Sequence, residues 1–120
     1  MTVYEHATKI WAVLALAAKN RQILTYDIVG RLIGIPRRGL GQHLAPIQSY
    51  CLVKGFHALT SIVVSEVTGI PSIGFTAAEA GMIQAEQMRV HGYDWLSLQA
   101  PTPEELQQAA IERPSCGPQE

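Results

Sequence analysis

The 120-residue chain is 48% hydrophobic and 16% charged, and its formal net charge is −1. These values exclude a disordered polyelectrolyte and predict a single folded domain over residues 1–113 with a tail over 114–120. Residues 1–65 carry seven basic and two acidic side chains, whereas residues 66–120 carry two basic and eight acidic ones.

No acid occurs from Ile28 through Ser65. Such a split suits either a polyanion-binding face beside a remote acidic part or an ordinary uneven surface. In chain order, a first helix is predicted over Val3–Lys19. Ile10, Val13, Leu14 and Ala17 form one face at i, i+3, i+4, i+7, widened by Trp11 and Leu16. The apolar stretch Ile10–Ala18 is too short to span a bilayer, and Glu5 and His6 precede it where a signal peptide carries positive charge. A cytoplasmic protein with no membrane partner is the expectation.

Thr25 is a good N-cap for a second helix over Tyr26–Ile33, with Asp27 in its first turn. Its buried side is expected to comprise Ile28, Val29, Leu32 and Ile33. Gly34 stops this helix, and Pro36 bars its continuation through Ile35. A third helix is predicted from about Arg37 to Lys54, kinked or split at Pro46 and ended by Gly55. Two helices about a short turn, the second rich in Arg, Gln and His, have the form of a helix-turn-helix.

Ala58–Val64 is β-branched and predicts a strand, with Val67–Gly69 as a turn and Pro71–Phe75 as a returning strand or wing. Thr76 and Glu79 form a capping box for a helix from Ala77 to about His91, with Gly92 as its stop. Trp95, Leu96 and Leu98 fold back onto the first helix or form an aromatic patch for a partner. Thr102, Pro103 and Glu105 open a last helix to about Ile111.

The stretch LTYDIVGRLIG (residues 24–34), Pro36 and RGLGQHL (residues 38–44) resembles the O6-alkylguanine-DNA alkyltransferase family and its alkyltransferase-like relatives. Ile62-Val63-Val64 and Gly69 fall where that family has its Pro-Cys-His-Arg motif and the two valines after it, so the resemblance covers about residues 24–69. It implies a winged helix-turn-helix in which Arg38 intrudes into duplex DNA and Tyr26 lies beside the displaced phosphate. It also places Thr60 at the alkyl-accepting cysteine, Ser61 at the neighbouring histidine and Ile62 at the arginine. A threonine hydroxyl without a positioned base is a far weaker nucleophile than a thiolate, so alkyl transfer is not expected. Cys51, about nine residues earlier in a helical stretch, is a poor substitute.

The candidate DNA-binding residues are therefore Tyr26, Arg37, Arg38, Gln42 and His43, and Thr60 and Ser61 are candidate pocket residues. Arg37 and Arg38 begin the third helix near its positive dipole end. There they contact phosphate or a guanine edge, or stand as a solvated pair. Gln42 and His43 read base edges or are simply exposed. Gly39 and Gly41 each cost about 1 kcal/mol of helix stability relative to alanine, explained by close packing or close approach to DNA. The four histidines are scattered without ligand spacing, and Cys51 and Cys116 write neither a disulfide framework nor a zinc site. No cofactor fingerprint is present.

The expected fold is α+β and mainly helical. A winged helix-turn-helix-like core (helix-turn-helix about 22–57, wing about 58–75) precedes a C-terminal helical extension over about 76–112. The expected function is non-enzymatic binding of double-stranded DNA, including unusual or modified DNA. The alternative is a small protein-binding or inhibitory module, or a homodimer, that engages a basic partner through its acidic C-terminal half.

Overall fold

A computed structural model describes residues 2–69, 71 and 82–114. Helix α1 (Val3–Lys19) opens on a capping box. Thr2 Oγ1 accepts from the Glu5 backbone N–H, and the Glu5 carboxylate accepts from the Thr2 backbone N–H. Its inner face carries Ala7, Ile10, Trp11 and Leu14. Leu16, expected on that face, points outward, because α1 is covered along the side that Ile10 and Leu14 define.

Strand β1 (Leu24–Thr25) leads directly into α2 (Tyr26–Ile33). Thr25 is the N-cap, its Oγ1 accepting from the Ile28 N–H at 3.2 Å, and Gly34 ends the helix in the left-handed region at φ 86°. The buried face of α2 differs from expectation. Tyr26, Val29 and Gly30 turn inward, while Ile28 and Leu32 are exposed, Leu32 by 62%. Tyr26, Gly30 and Ile33 lie at i, i+4 and i+7, so an aromatic anchor at the first position sets which stripe goes in.

The chain then makes a 3-10 turn, Arg37–Gly39, before α3 (Leu40–Lys54). The predicted third helix thus begins three residues late, and the two arginines belong to the turn. Pro46 does not divide α3, which continues as one element to Lys54 and ends at Gly55 with φ 73°. Residues around the whole circumference of α3 are buried, from Leu40 and His43 to Gln48, Ser49 and Cys51. A helix buried all round is a central helix; α1, α5 and the 59–62 turn pack against it.

The expected strand over 58–64 is mostly a 3-10 helix, Leu59–Ile62, followed by the two-residue strand β2 (Val63–Val64). β2 pairs in parallel with β1, Leu24 opposite Val63 and Thr25 opposite Val64. β2 therefore has a partner 39 residues upstream. The predicted returning strand lies outside the described residues except for Pro71, as does the Thr76–Glu79 capping box.

Helix α4 (Ile83–Gly92) includes Gly92, which was expected to stop it, and Tyr93 caps it instead. Trp95 folds back as expected. Its indole is 2% exposed, donates from Nε1 to the Val90 carbonyl at 2.8 Å, and packs edge-on to Trp11 at 5.7 Å between centroids. Helix α5 (Pro103–Glu112) shows the anticipated capping box, with Thr102 and Glu105 bonded reciprocally and proline at the first turn. The architecture is a mainly helical α+β fold with a small parallel two-stranded sheet. No helix among the described residues is long and apolar enough to cross a membrane.

Candidate nucleic-acid interface

The turn that presents Arg37 and Arg38 is fixed by its close approach to α2. The Ile35 N–H and the Gly34 N–H both donate to the Gly30 carbonyl, at 2.9 and 2.7 Å. A Cβ on Gly30 would sit 2.5 Å from the Ile35 carbonyl oxygen, so only glycine allows the chain to fold back this tightly. Ile35 is buried between α2 and the turn. Gly39 closes the turn by donating to the Pro36 carbonyl at 2.9 Å, and His43 Nδ1, facing the Gly39 carbonyl at 2.7 Å, must be its donor. The arginines thus stand on a backbone tied at both ends.

Arg38 is exposed and makes no ion pair among the described residues. Arg37 is also exposed, but its guanidinium lies 3.0 Å from the Glu66 carboxylate. The other Glu66 oxygen accepts from the Asp27 backbone N–H at 2.6 Å, in the first turn of α2. Partial burial pushes the Glu66 carboxyl upward, but backbone N–H donors at Asp27 and Glu66 and the nearby Arg37 outweigh it and lower its pKa. Glu66 is therefore ionised at neutral pH and sits directly on the basic face.

A surface free of acid along the sequence is thus not free of it in space. Arg31 pairs with Asp27 one turn away at 3.0 Å. Among the described residues, Arg31, Arg37 and Arg38 set against Asp27 and Glu66 give a balance of +1.

The remaining candidates separate. Tyr26 is 1% exposed and belongs to the core, so its ring is not on the surface that bears the arginines. His43 is buried, packed edge-on to His6 with ring centroids 5.1 Å apart. Its place in the sequence suits a base-reading position, but α3 turns it inward toward α1. Gln42 borders an open cleft of about 680 Å³, shared with Glu5 and Glu104, which is an acidic setting. Arg37 and Arg38 are together at the surface; Tyr26, Gln42 and His43 do not join them on one face. Gly39 has only ordinary contacts, the nearest being an Ile35 methyl at 3.7 Å, so the close-approach glycine is Gly30 instead. Its signal was the short interval between α2 and Pro36.

Thr60 and Ser61 are both fully buried, and neither hydroxyl has a hydrogen-bond partner among the described residues. With no base bonded to either oxygen, neither is set up to act as a nucleophile. Cys51 is also buried, and burial pushes its thiol up to about 12, which keeps it protonated and inert. Among the described residues no three His, Cys, Asp or Glu side chains are grouped to hold a metal ion. Comparison of the chain with protein-family models, curated proteins and solved structures yields no match.

Proposed function

We propose that this chain is a non-enzymatic DNA-binding protein of alkyltransferase-like type. Its α2–turn–α3 unit serves as a helix-turn-helix. The carrying observation is the exposed Arg37–Arg38 pair on a turn braced by Gly30, Ile35 and Gly39 at the start of α3. The middle of α3 is buried, so contact is made by the turn before it and not by a long helical face. Arg38 leads, because no carboxylate among the described residues pairs with it, whereas Arg37 is engaged by Glu66. Burial of the Thr60 and Ser61 hydroxyls away from the surface supports a reading of binding without chemistry at those two residues.

The test is fluorescence anisotropy with a labelled duplex, intact or carrying O6-methylguanine, over a range of salt. Binding should weaken steeply with salt, and Arg38→Ala should weaken it more than Arg37→Ala. Absence of binding to either duplex at low salt would refute the reading.

A second reading, a module engaging a basic protein through the acidic half, is favoured by Glu5 and Glu104 at the rim of the open cleft. Charge reversal at Glu104 that abolishes partner capture while sparing duplex binding would establish it in place of the first.

A further inference from the structure

At the far end of α3 from the arginine turn, a cavity of about 260 Å³ is lined by Lys54, Gly55, Phe56, His57 and Tyr93. The two ends are separated by the 15 residues of α3, about 22 Å at 1.5 Å per residue, so this cavity is independent of the DNA surface. Its construction is specific. Gly55 terminates α3 in the left-handed region, and the Phe56 N–H donates back to the Cys51 carbonyl at 2.9 Å, which turns Phe56 and His57 onto α4. Tyr93 arrives from the end of α4, with its ring 5.9 Å from that of Phe56 and inclined by 42°. Trp95 packs against both rings, at 5.8 and 4.9 Å, and backs the pair from the core.

The polar groups are equally placed. Glu86 is largely buried and accepts from the Ala58 backbone N–H at 2.6 Å. Its second oxygen lies 3.4 Å from His57 Nδ1 and 3.9 Å from Arg89, so its charge is already engaged. That contact sets the half-exposed imidazole of His57 against Glu86. Lys54 extends over the Tyr50 ring at 5.7 Å, and no carboxylate among the described residues is within ion-pair distance of it. A wall of two packed aromatic rings, an imidazole and an ammonium ion with no carboxylate partner among the described residues thus line one small cavity. An aromatic wall favours a flat π-system, and the Lys54 ammonium favours negative charge at its edge.

We infer that this cavity is a binding site for a planar aromatic anion, a single ring system carrying one phosphate or carboxylate group. The ring stacks against the Phe56–Tyr93 pair, and its anionic group meets Lys54. The volume accommodates a single ring system such as a nucleobase or a benzene ring.

The experiment is a titration of the full chain followed by amide chemical shifts, using 5′-AMP, benzoate, adenosine and inorganic phosphate as separate probes. Saturable shifts at Gly55, His57 and Tyr93 with 5′-AMP or with benzoate are expected, and the tighter of the two identifies the source of the anion. Lys54→Met should weaken that binding about five- to tenfold, the scale of one charge-assisted contact, without altering the fold. Tyr93→Ala should abolish it. If Tyr93→Ala does not fold, the Lys54→Met titration alone decides. Absence of saturable shifts with both aromatic anions would overturn the inference. So would equal binding of adenosine and 5′-AMP, equal shifts with inorganic phosphate, or indifference to Lys54→Met. None of these outcomes bears on duplex binding by Arg38, which is measured separately.

Discussion

Replacing Glu66 with glutamine should make the chain bind DNA more tightly. The substitution is isosteric, and the glutamine carbonyl oxygen still accepts from the Asp27 N–H that the carboxylate now caps at 2.6 Å. What disappears is the charge facing Arg37 at 3.0 Å. The local balance of Arg31, Arg37 and Arg38 against Asp27 and Glu66 then rises from +1 to +2. Arg37 is half exposed, so the pair itself is worth at most about 1 kcal/mol, and little stability is lost when it opens. An ion pair between the Arg37 guanidinium and a DNA phosphate is worth a similar amount, so the dissociation constant should fall by up to about fivefold at low salt. Neutralising one more phosphate also steepens the slope of log K against log salt by about 0.9. Anisotropy measurements at several salt concentrations give both quantities. The double variant Glu66→Gln, Arg37→Ala should lose this enhancement, which makes the pair a double-mutant cycle. Unchanged or weaker binding by a folded Glu66→Gln protein, judged by circular dichroism, would refute Glu66 as the restraint on Arg37.

Gly30→Ala should destabilise the fold by about 1–3 kcal/mol despite alanine's better helix propensity, because its Cβ meets a backbone oxygen that cannot move aside. Gly39→Ala, with only ordinary contacts, serves as the control, and equal melting temperatures for the two would contradict this account. In a Cys116→Ser background, iodoacetamide at pH 8 should leave native Cys51 unmodified and alkylate it in urea, as mass spectrometry will show. Rapid labelling of the native protein would mean that its thiol is not held protonated by burial. Partial burial, the adjacent His43 ring and nearby positive charge lower the His6 pKa from 6.5. In that window the unfolded chain binds the proton and the folded chain does not, so stability should fall as pH drops below about 6.5. Urea melts at several pH values should show this slope flattened in His6→Asn; an undiminished slope would assign it elsewhere.

The parts of the fold that were legible in the sequence are those whose chemistry is local. Thr25 before α2, Gly34 and Gly55 after α2 and α3, and the Thr102–Glu105 box of α5 satisfy backbone groups within a turn of themselves, so residue type and spacing suffice. Trp95 was legible because a large aromatic after a helix end has to be buried somewhere. The candidate site was less legible. Glu66 reaches Asp27 and Arg37 across 39 and 29 residues, and no local pattern announces such a contact. The β-branched run ending in Val64 reads as a strand, yet only Val63 and Val64 find a partner ladder, and Leu59–Ile62 coils instead. His43 was misplaced because α3 lacks a polar face. The absence of any clear stripe in LGQHLAPIQSYCLVK is itself the mark of a helix enclosed on all sides.

That enclosure has a consequence for how the surface could be altered, by selection or by engineering. An ordinary recognition helix offers several outward positions that can be exchanged freely to change what is read. Here, substitutions along α3 beyond its first turn fall on residues shared with α1, α5 and the 59–62 turn, so new specificity would come at the expense of folding. The adjustable positions are confined to the short segment around Arg37 and Arg38 and to the acidic residue that leans on it. Diversity at this surface would therefore arise by changing loop chemistry, with the helix behind it held nearly constant.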